Sequence, residues 1–318
     1  MKRLIIIIFV FQTGFILSQT CCTSGTPLLG SLEMSVTNKN LLQINLNFNY
    51  NSLRDIYDRD IKLNDNTRER ITQSAILELN YGLTHKITLT SLFSYVKQVR
   101  IISPLIGNNN TLVTQGFGDI ILLAKYNFIQ QNILSKNDIT AGLGVKLPIG
   151  KSSVKQNNIL VPADLQPGTG SWDIIFWAYY SRANFLSLPV NAILNLSYKL
   201  NGSNKRFGGQ FGNYKFGNEF ISTTGIVYFY NKIFTPTFFL RIRNTTNDKF
   251  SNEEIPNTGG WWFYFIPAIN ISFSENIILR ADAQIPVYRY LNGVQLTTTL
   301  IGSFSVIYRI NTKSSPSI

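Results

Sequence analysis

Segment 41–50 alternates without a break. Leu42, Ile44, Leu46, Phe48 and Tyr50 are apolar or aromatic, and Gln43, Asn45, Asn47 and Asn49 between them are polar. Successive side chains of a β-strand point to opposite faces, so one face of this segment is greasy and the other wet. About ten residues is the length of a tilted strand crossing a bilayer. The apolar face ends on an aromatic residue, as at a membrane–water boundary. A half-buried strand of a soluble sandwich alternates in the same way, so the constraint comes from recurrence along nearly the whole chain.

Alternating runs are predicted as strands over 41–51, 71–83, 86–97, 117–128, 138–148, 171–182, 189–200, 214–230, 233–243, 260–273, 277–287 and 296–310. Their connections alternate in length. Thr84-His85, 129–137, 183–188, Asn231-Lys232 and Ser274-Glu275-Asn276 are short, whereas 52–70, 98–116, 149–170, 201–213, 244–259 and 288–295 are long and polar. An even count of about twelve strands with tight turns at one end and long loops at the other predicts an all-β fold. The expected architecture is a transmembrane antiparallel up-and-down β-barrel with short periplasmic turns, long external loops and both termini on the periplasmic side. The parity of each strand then separates a lipid face, such as Leu77, Leu79 and Tyr81, from a lumen face, such as Ser74, Glu78 and Asn80. Stretches 183–198, 255–274 and 290–308 carry no charge. Gly259, Gly260 and Pro267 in the second, and the Thr and Ser content of the third, favour strands over membrane helices.

Met1-Lys2-Arg3, the apolar run 4–10 and Ser18 have the layout of a cleavable secretory signal over 1–18. The expected organisation is that signal, a periplasmic segment or small plug over 19–40, the barrel over 41–310 and a tail over 311–318. Without Lys2 and Arg3, 27 basic residues face 17 acidic ones, a net charge of about +10. The basic residues are scattered one per strand or lie in polar loops, which excludes nucleic acid and favours an anionic membrane surface. Outer-membrane lipid, lipopolysaccharide and the barrel-assembly machinery are the expected partners of an exported monomer destined for the bacterial outer membrane. The only cysteines, Cys21 and Cys22, are adjacent and rule out a disulfide framework. Lipidation of Cys21 is the other reading of the pair.

The chain is poor in groups for catalysis. Its one histidine, His85, falls in a two-residue turn, and no cluster has metal-ligand spacing, so no enzyme, cofactor or metal is expected. The better candidates are ionisable residues of lumen parity: Glu78, Asp119, Lys125, Lys146, Asp173, Lys199, Glu219, Arg241, Arg243, Arg280, Asp282 and Arg309. Charges facing a narrow lumen must be paired or hydrated. They form either a wet path or the packing of a filled barrel. Ile121, Leu123, Ile175, Trp177 and Ile221 share their parity, which suits a small amphipathic or aromatic solute.

Two segments, Gly116-Phe117-Gly118-Asp119-Ile120 with Ala124-Lys125-Tyr126, and Gly142-Leu143-Gly144-Val145-Lys146-Leu147-Pro148-Ile149-Gly150-Lys151, resemble a family of outer-membrane barrels. It is the one labelled for the meta-pathway of phenol degradation, or simply as a transporter. Leu165-Gln166-Pro167-Gly168-Thr169-Gly170-Ser171-Trp172-Asp173 looks like that family's loop into the next strand. Gln284-Ile285-Pro286-Val287-Tyr288 with Asn292-Gly293-Val294-Gln295-Leu296 looks like its penultimate hairpin. The resemblance runs from about residue 116 to the end and implies a channel for small hydrophobic or aromatic solutes. Gly118, Asp119, Lys146, Pro148, Gly168, Gly170, Asp173, Pro286 and Gln295 are the positions that match the family's motifs. A filled-lumen barrel with a structural or surface-interaction role is the alternative.

Overall fold

A computed structural model describes residues 35–103, 110–132, 135–207 and 212–312. The expected signal, the cysteine pair and the tail after Thr312 lie outside the described residues. Twelve strand elements build one closed antiparallel wall: β1 (Leu41–Arg59), β2 (Arg68–Gly82), β3 (Ile87–Ile102), β4 (Asn110–Phe117), β5 (Ile120–Ile129), β6 (Asn137–Leu147), β7 (Asp173–Arg182), β8 (Val190–Asn201), β9 (Glu219–Tyr228), β10 (Phe234–Thr245), β11 (Gly260–Ser272) and β12 (Ile277–Asn311). Neighbours in sequence are neighbours in the wall. The last strand closes on the first, from Leu41↔Asn311 to Ser52↔Leu300. Closure leaves no free edge, and the backbone polar groups of each strand find partners within the wall.

β4 and β5 are one stave interrupted at Gly118-Asp119, since both pair with β3. β12, in contrast, is two staves. Arg309 N donates to Asn276 O at 2.9 Å, and Arg289 Nη2 donates to Thr298 O at 2.6 Å, so the stretch folds back on itself. Its reversal is at Asn292-Gly293, where Gly293 adopts φ +83°, a left-handed conformation that favours glycine. Counted this way the barrel has twelve staves, the even number expected.

The outward faces carry the apolar parity. Leu46, Phe48, Leu122, Leu143, Phe176 and Phe238 are all exposed on the outer wall, a surface suited to hydrocarbon and unfavourable in water. Aromatics gather at both ends of this band. Tyr95 and Phe117 meet edge-to-face at 5.4 Å, and Phe263 and Tyr288 at 5.6 Å, towards the long-loop end. Tyr126 and Phe128 meet at 4.9 Å, and Tyr228 and Tyr230 at 6.2 Å, towards the short-turn end. Such paired girdles mark the two interfaces of a membrane barrel. No helix of the described residues is long and apolar enough to cross a membrane.

The turns are as short as expected, and His85 is exposed in the one joining β2 to β3. The long connections are not evenly distributed. Segments 52–70, 98–116 and 288–295, expected as loops, are largely strand. Their ladders continue past the apolar band, where charged residues such as Arg54 take the outer face and the apolar alternation that marks a strand fades. The large loops are 148–172, 202–218 and 246–259, all on one side of the barrel. Within them Tyr214–Lys215 pairs with Lys249–Phe250, and the latter with Glu253–Glu254, as a small separate sheet. The predicted strand 214–230 is therefore two, with only Glu219–Tyr228 in the wall.

Candidate functional site

Lumen parity brings most of the expected ionisable residues to the inner wall, and at the loop end they meet across neighbouring strands. Lys146 on β6 lies 3.3 Å from Asp119 Oδ2, and its ammonium also pairs with Asp173 on β7 and donates to Thr169 Oγ1. Lys199 on β8 lies 2.9 Å from Glu219 on β9, whose other oxygen accepts from Arg243 Nε at 2.7 Å. The Arg243 guanidinium sits 4.9 Å from the Trp262 ring centre, and Trp262 Nε1 donates to Thr297 Oγ1 at 3.0 Å. Signs therefore alternate from strand to strand around half of the wall. In a low-dielectric interior, such pairing offsets the cost of taking the charges out of water.

Charges that parity did not single out complete the ring. Arg289 pairs with Asp55 at 3.1 Å, and Arg70 and Arg100 converge on Asp164 at 3.0 and 2.5 Å. All four of these wall residues lie in segments read as loops. One of them, Arg289, is in addition turned inward by a register shift between Phe263 and Tyr264, where Tyr288 and Pro286 but not Val287 find partners. One extra residue reverses the parity of the strand beyond it, so Arg289 and Leu291 face inward where even numbers did before.

Asp164 belongs to loop 148–172, and that loop folds into the barrel rather than standing over it. Val161, residues 163–169 and Ser171 are buried. Thr114, facing inward from β4, donates to Leu165 O at 2.6 Å. Asp119 fixes the loop's return. Its Oδ1 accepts from Gly150 N at 3.0 Å, and its Oδ2 accepts from Thr169 N and Oγ1, both at 2.8 Å. The approach is so close that a Cβ on Gly168 would lie 2.7 Å from Gly150 and 2.8 Å from Asp119 Oδ1. Gly118, Asp119, Lys146, Gly168, Gly170 and Asp173, matched from three separate segments, thus lie in one knot. Pro148 precedes it by two residues. Gln295 is apart, fully buried and donating to Gly259 O at 2.9 Å. Pro286 pairs with the buried Tyr264 on the inward parity, beside the β12 bulge.

Below the ring, and at Trp262 and Leu291 level with it or beyond, the lumen is apolar. Ile76, Leu92, Ile121, Leu123, Ile175 and Trp177 form one buried cluster, with Tyr179 and Ile221, and Phe239, Trp262, Tyr264, Ile266 and Leu291 form another. The remaining expected charges are embedded here. Lys125 Nζ lies 4.6 Å from the Trp177 ring centre, Glu78 accepts from Asn45 and Asn80, and Arg241 donates to Thr223 and Gln284. Arg280 and Asp282, half-buried, pair at 3.4 Å. Towards the short-turn end a cavity of about 530 Å³ opens. Gln43, Asn45 and Asn47 line one side, Tyr179, Ile193 and Phe239 the other, and residues 35–38 close its lower edge. Ser35 Oγ reaches Asp138 at 2.7 Å and Thr37 N reaches Thr88 at 2.8 Å. Residues 35–40 therefore cross the mouth from β6 to β1. Among the described residues no group of His, Cys, Asp and Glu is placed to hold a metal.

No family of proteins and no curated protein matches this sequence. Solved structures do. An outer-membrane channel from Pseudomonas putida F1 superposes with a TM-score of 0.70 at 15% identity, over 88% of this chain and 98% of that one. The fold is that of an outer-membrane barrel. Looser likenesses are the translocator domain of the autotransporter NalP from Neisseria meningitidis and a FadL homologue from Pseudomonas aeruginosa. The first has a TM-score of 0.47 at 8% identity over 88% of this chain and 91% of that one. The second has 0.43 at 8% identity over 93% and 98%.

Proposed function

We propose that this chain is an outer-membrane channel for small hydrophobic or aromatic solutes. The observation that carries the reading is the layering of the lumen. An amphipathic cavity leads from the short-turn mouth to an apolar belt, and only then to a charged constriction made by loop 148–172. A solute with an apolar body has a surface to lie against at each level, and its polar groups meet Lys125, Glu78, Arg241 or the ring. The lumen-facing residues named from sequence are the solute path in this reading, and lipopolysaccharide meets the exposed charges of the upper wall, Arg54 and Lys62 among them. The second reading, a filled barrel with a structural or surface role, draws support from the complete pairing of the ring and the burial of 163–169.

Single-channel conductance of the folded, signal-free protein in a planar bilayer separates the two. Steady current that changes with Asp119→Asn or Lys146→Met supports a pore through the ring. Silence from protein shown to be folded and inserted overturns an open aqueous pore and leaves the filled barrel.

A further inference from the structure

Two unused polar features face the same cavity. The first is Arg309 on the second stave of β12. Its Nε donates to Gln43 Oε1 at 3.4 Å, and no carboxylate of the described residues lies within ion-pair distance of it. The ring charges at the loop end have opposite partners, and in the cavity Arg280 has Asp282. Arg309 faces the cavity as a cation that no described carboxylate neutralises. The second feature is the amide row of β1. Asn45 and Asn47 are each 8% exposed and line the cavity, yet the side-chain oxygen of each, an acceptor, has no donor among the described residues. A buried amide left half-satisfied is costly, roughly 1–3 kcal/mol, unless a guest or solvent completes it.

Across from these groups the wall is apolar: Tyr179, Ile193, Val227 and Phe239 project from four successive strands, β7 to β10. A pocket with a cation and amides on one side and rings on the other recognises a molecule with the same division. We infer that the cavity is a binding site for a small organic carboxylate with an apolar ring or short chain. Its carboxylate would meet Arg309 and its body the opposite wall, while solvent or a hydrogen-bond donor elsewhere on the solute would complete the Asn45 and Asn47 oxygens. A volume of about 530 Å³ falls in the usual range for small-molecule pockets. The inference deepens the channel reading by naming the charge of the solute, and it rests on that reading for its role in transport, not for binding itself.

The test uses the whole folded chain in detergent, with benzoate and its uncharged counterpart benzyl alcohol as probes, and binding followed by saturation-transfer NMR and calorimetry. Benzoate should bind and benzyl alcohol should bind much more weakly. Arg309→Gln should weaken benzoate by about tenfold or more, the loss expected for one charge-assisted hydrogen-bonded contact. Arg309→Lys should restore part of it, and Lys249→Gln on an external loop should change nothing. Equal binding of the two probes, or benzoate binding indifferent to Arg309→Gln in protein shown to be folded, overturns the inference. Conductance measured alongside keeps the two claims apart. Binding without current preserves the site and removes the channel; current without binding preserves the channel and removes the site.

Discussion

The two ends of the lumen use the same strand parity to opposite effect. At the loop end Asp119, Lys146, Asp173, Lys199, Glu219 and Arg243 are buried and locked in pairs, and loop 148–172 adds Asp164 to hold Arg70 and Arg100. At the short-turn end the inward groups are mostly amides and hydroxyls, Arg309 has no carboxylate among the described residues, and a cavity remains. The difference is one of connections. Only the loop end has enough chain between staves for a segment to fold inside and bring its own counter-charges. Tight turns cannot return into the barrel, so the lumen above them stays open. Constriction and vestibule both arise from this asymmetry of loop lengths.

That contrast can be broken at its tightest point first. Lys146→Met leaves Asp119 and Asp173 buried with a common partner gone, and removing one member of a buried pair costs about 3–5 kcal/mol. Urea unfolding followed by gel mobility should show a loss of that size, and Asp119→Asn with Asp173→Asn in the same chain should recover much of it. If the single and triple variants are equally stable, the knot is not held by charge. Asp164→Asn is next. It keeps the shape but weakens the bonds from Arg70 and Arg100, at a cost of about 2 kcal/mol for hydrogen bonds to a charged group. Conductance should rise as the inward loop loosens; an unchanged current would mean the loop does not narrow the pore.

A smaller effect is expected in the external loop cluster, where Asp248 accepts from Tyr214 Oη at 2.5 Å and Gly217 N at 2.8 Å. Burial is the main cause that pushes its carboxyl up to about 6, with the negative charge of Asp164 adding to it, against the hydrogen bonds and Arg243. A carboxyl whose folded pKa is raised binds its proton more tightly when folded. Its contribution is thus complete below the ordinary carboxylate range and is lost as pH rises through about 6. Hydrogen exchange of 212–218 and 246–258, corrected for intrinsic rates, should show less protection at pH 7.5 than at pH 4.5. Asp248→Asn should remove the dependence; if it persists, another group sets it. The smallest change is predicted for Arg54→Ala on the outer upper wall, where the pair with Glu69 at 2.7 Å is solvent-exposed. Such pairs contribute little, and unfolding should be unaltered within error.

Much of the barrel is legible in the chain. The inward set of β1, β5 and β8 reads directly from residues two apart, and Glu78, Asp119, Lys125 and Lys199 are where parity puts them. The knot is legible only as scattered motif residues from three segments, because nothing local joins Gly168 to Asp119 across fifty positions. Asp55, Arg70, Arg100 and Arg289 escape a reading by parity for two distinct reasons. All four lie in segments where charged residues such as Arg54 take the outer face, so apolar alternation no longer marks the wall. The last also comes after a bulge, which changes parity without altering composition.

By itself, then, the sequence determined a closed antiparallel membrane barrel, its even stave count and the direction most side chains face, because strand periodicity and turn length are local properties of the chain. Tertiary structure alone decided which charges pair, that loop 148–172 enters the lumen, and that Arg309 and the β1 amides face a cavity. Those outcomes depend on the register between strands and on the path of a loop through space. Both are fixed by contacts between residues far apart in sequence.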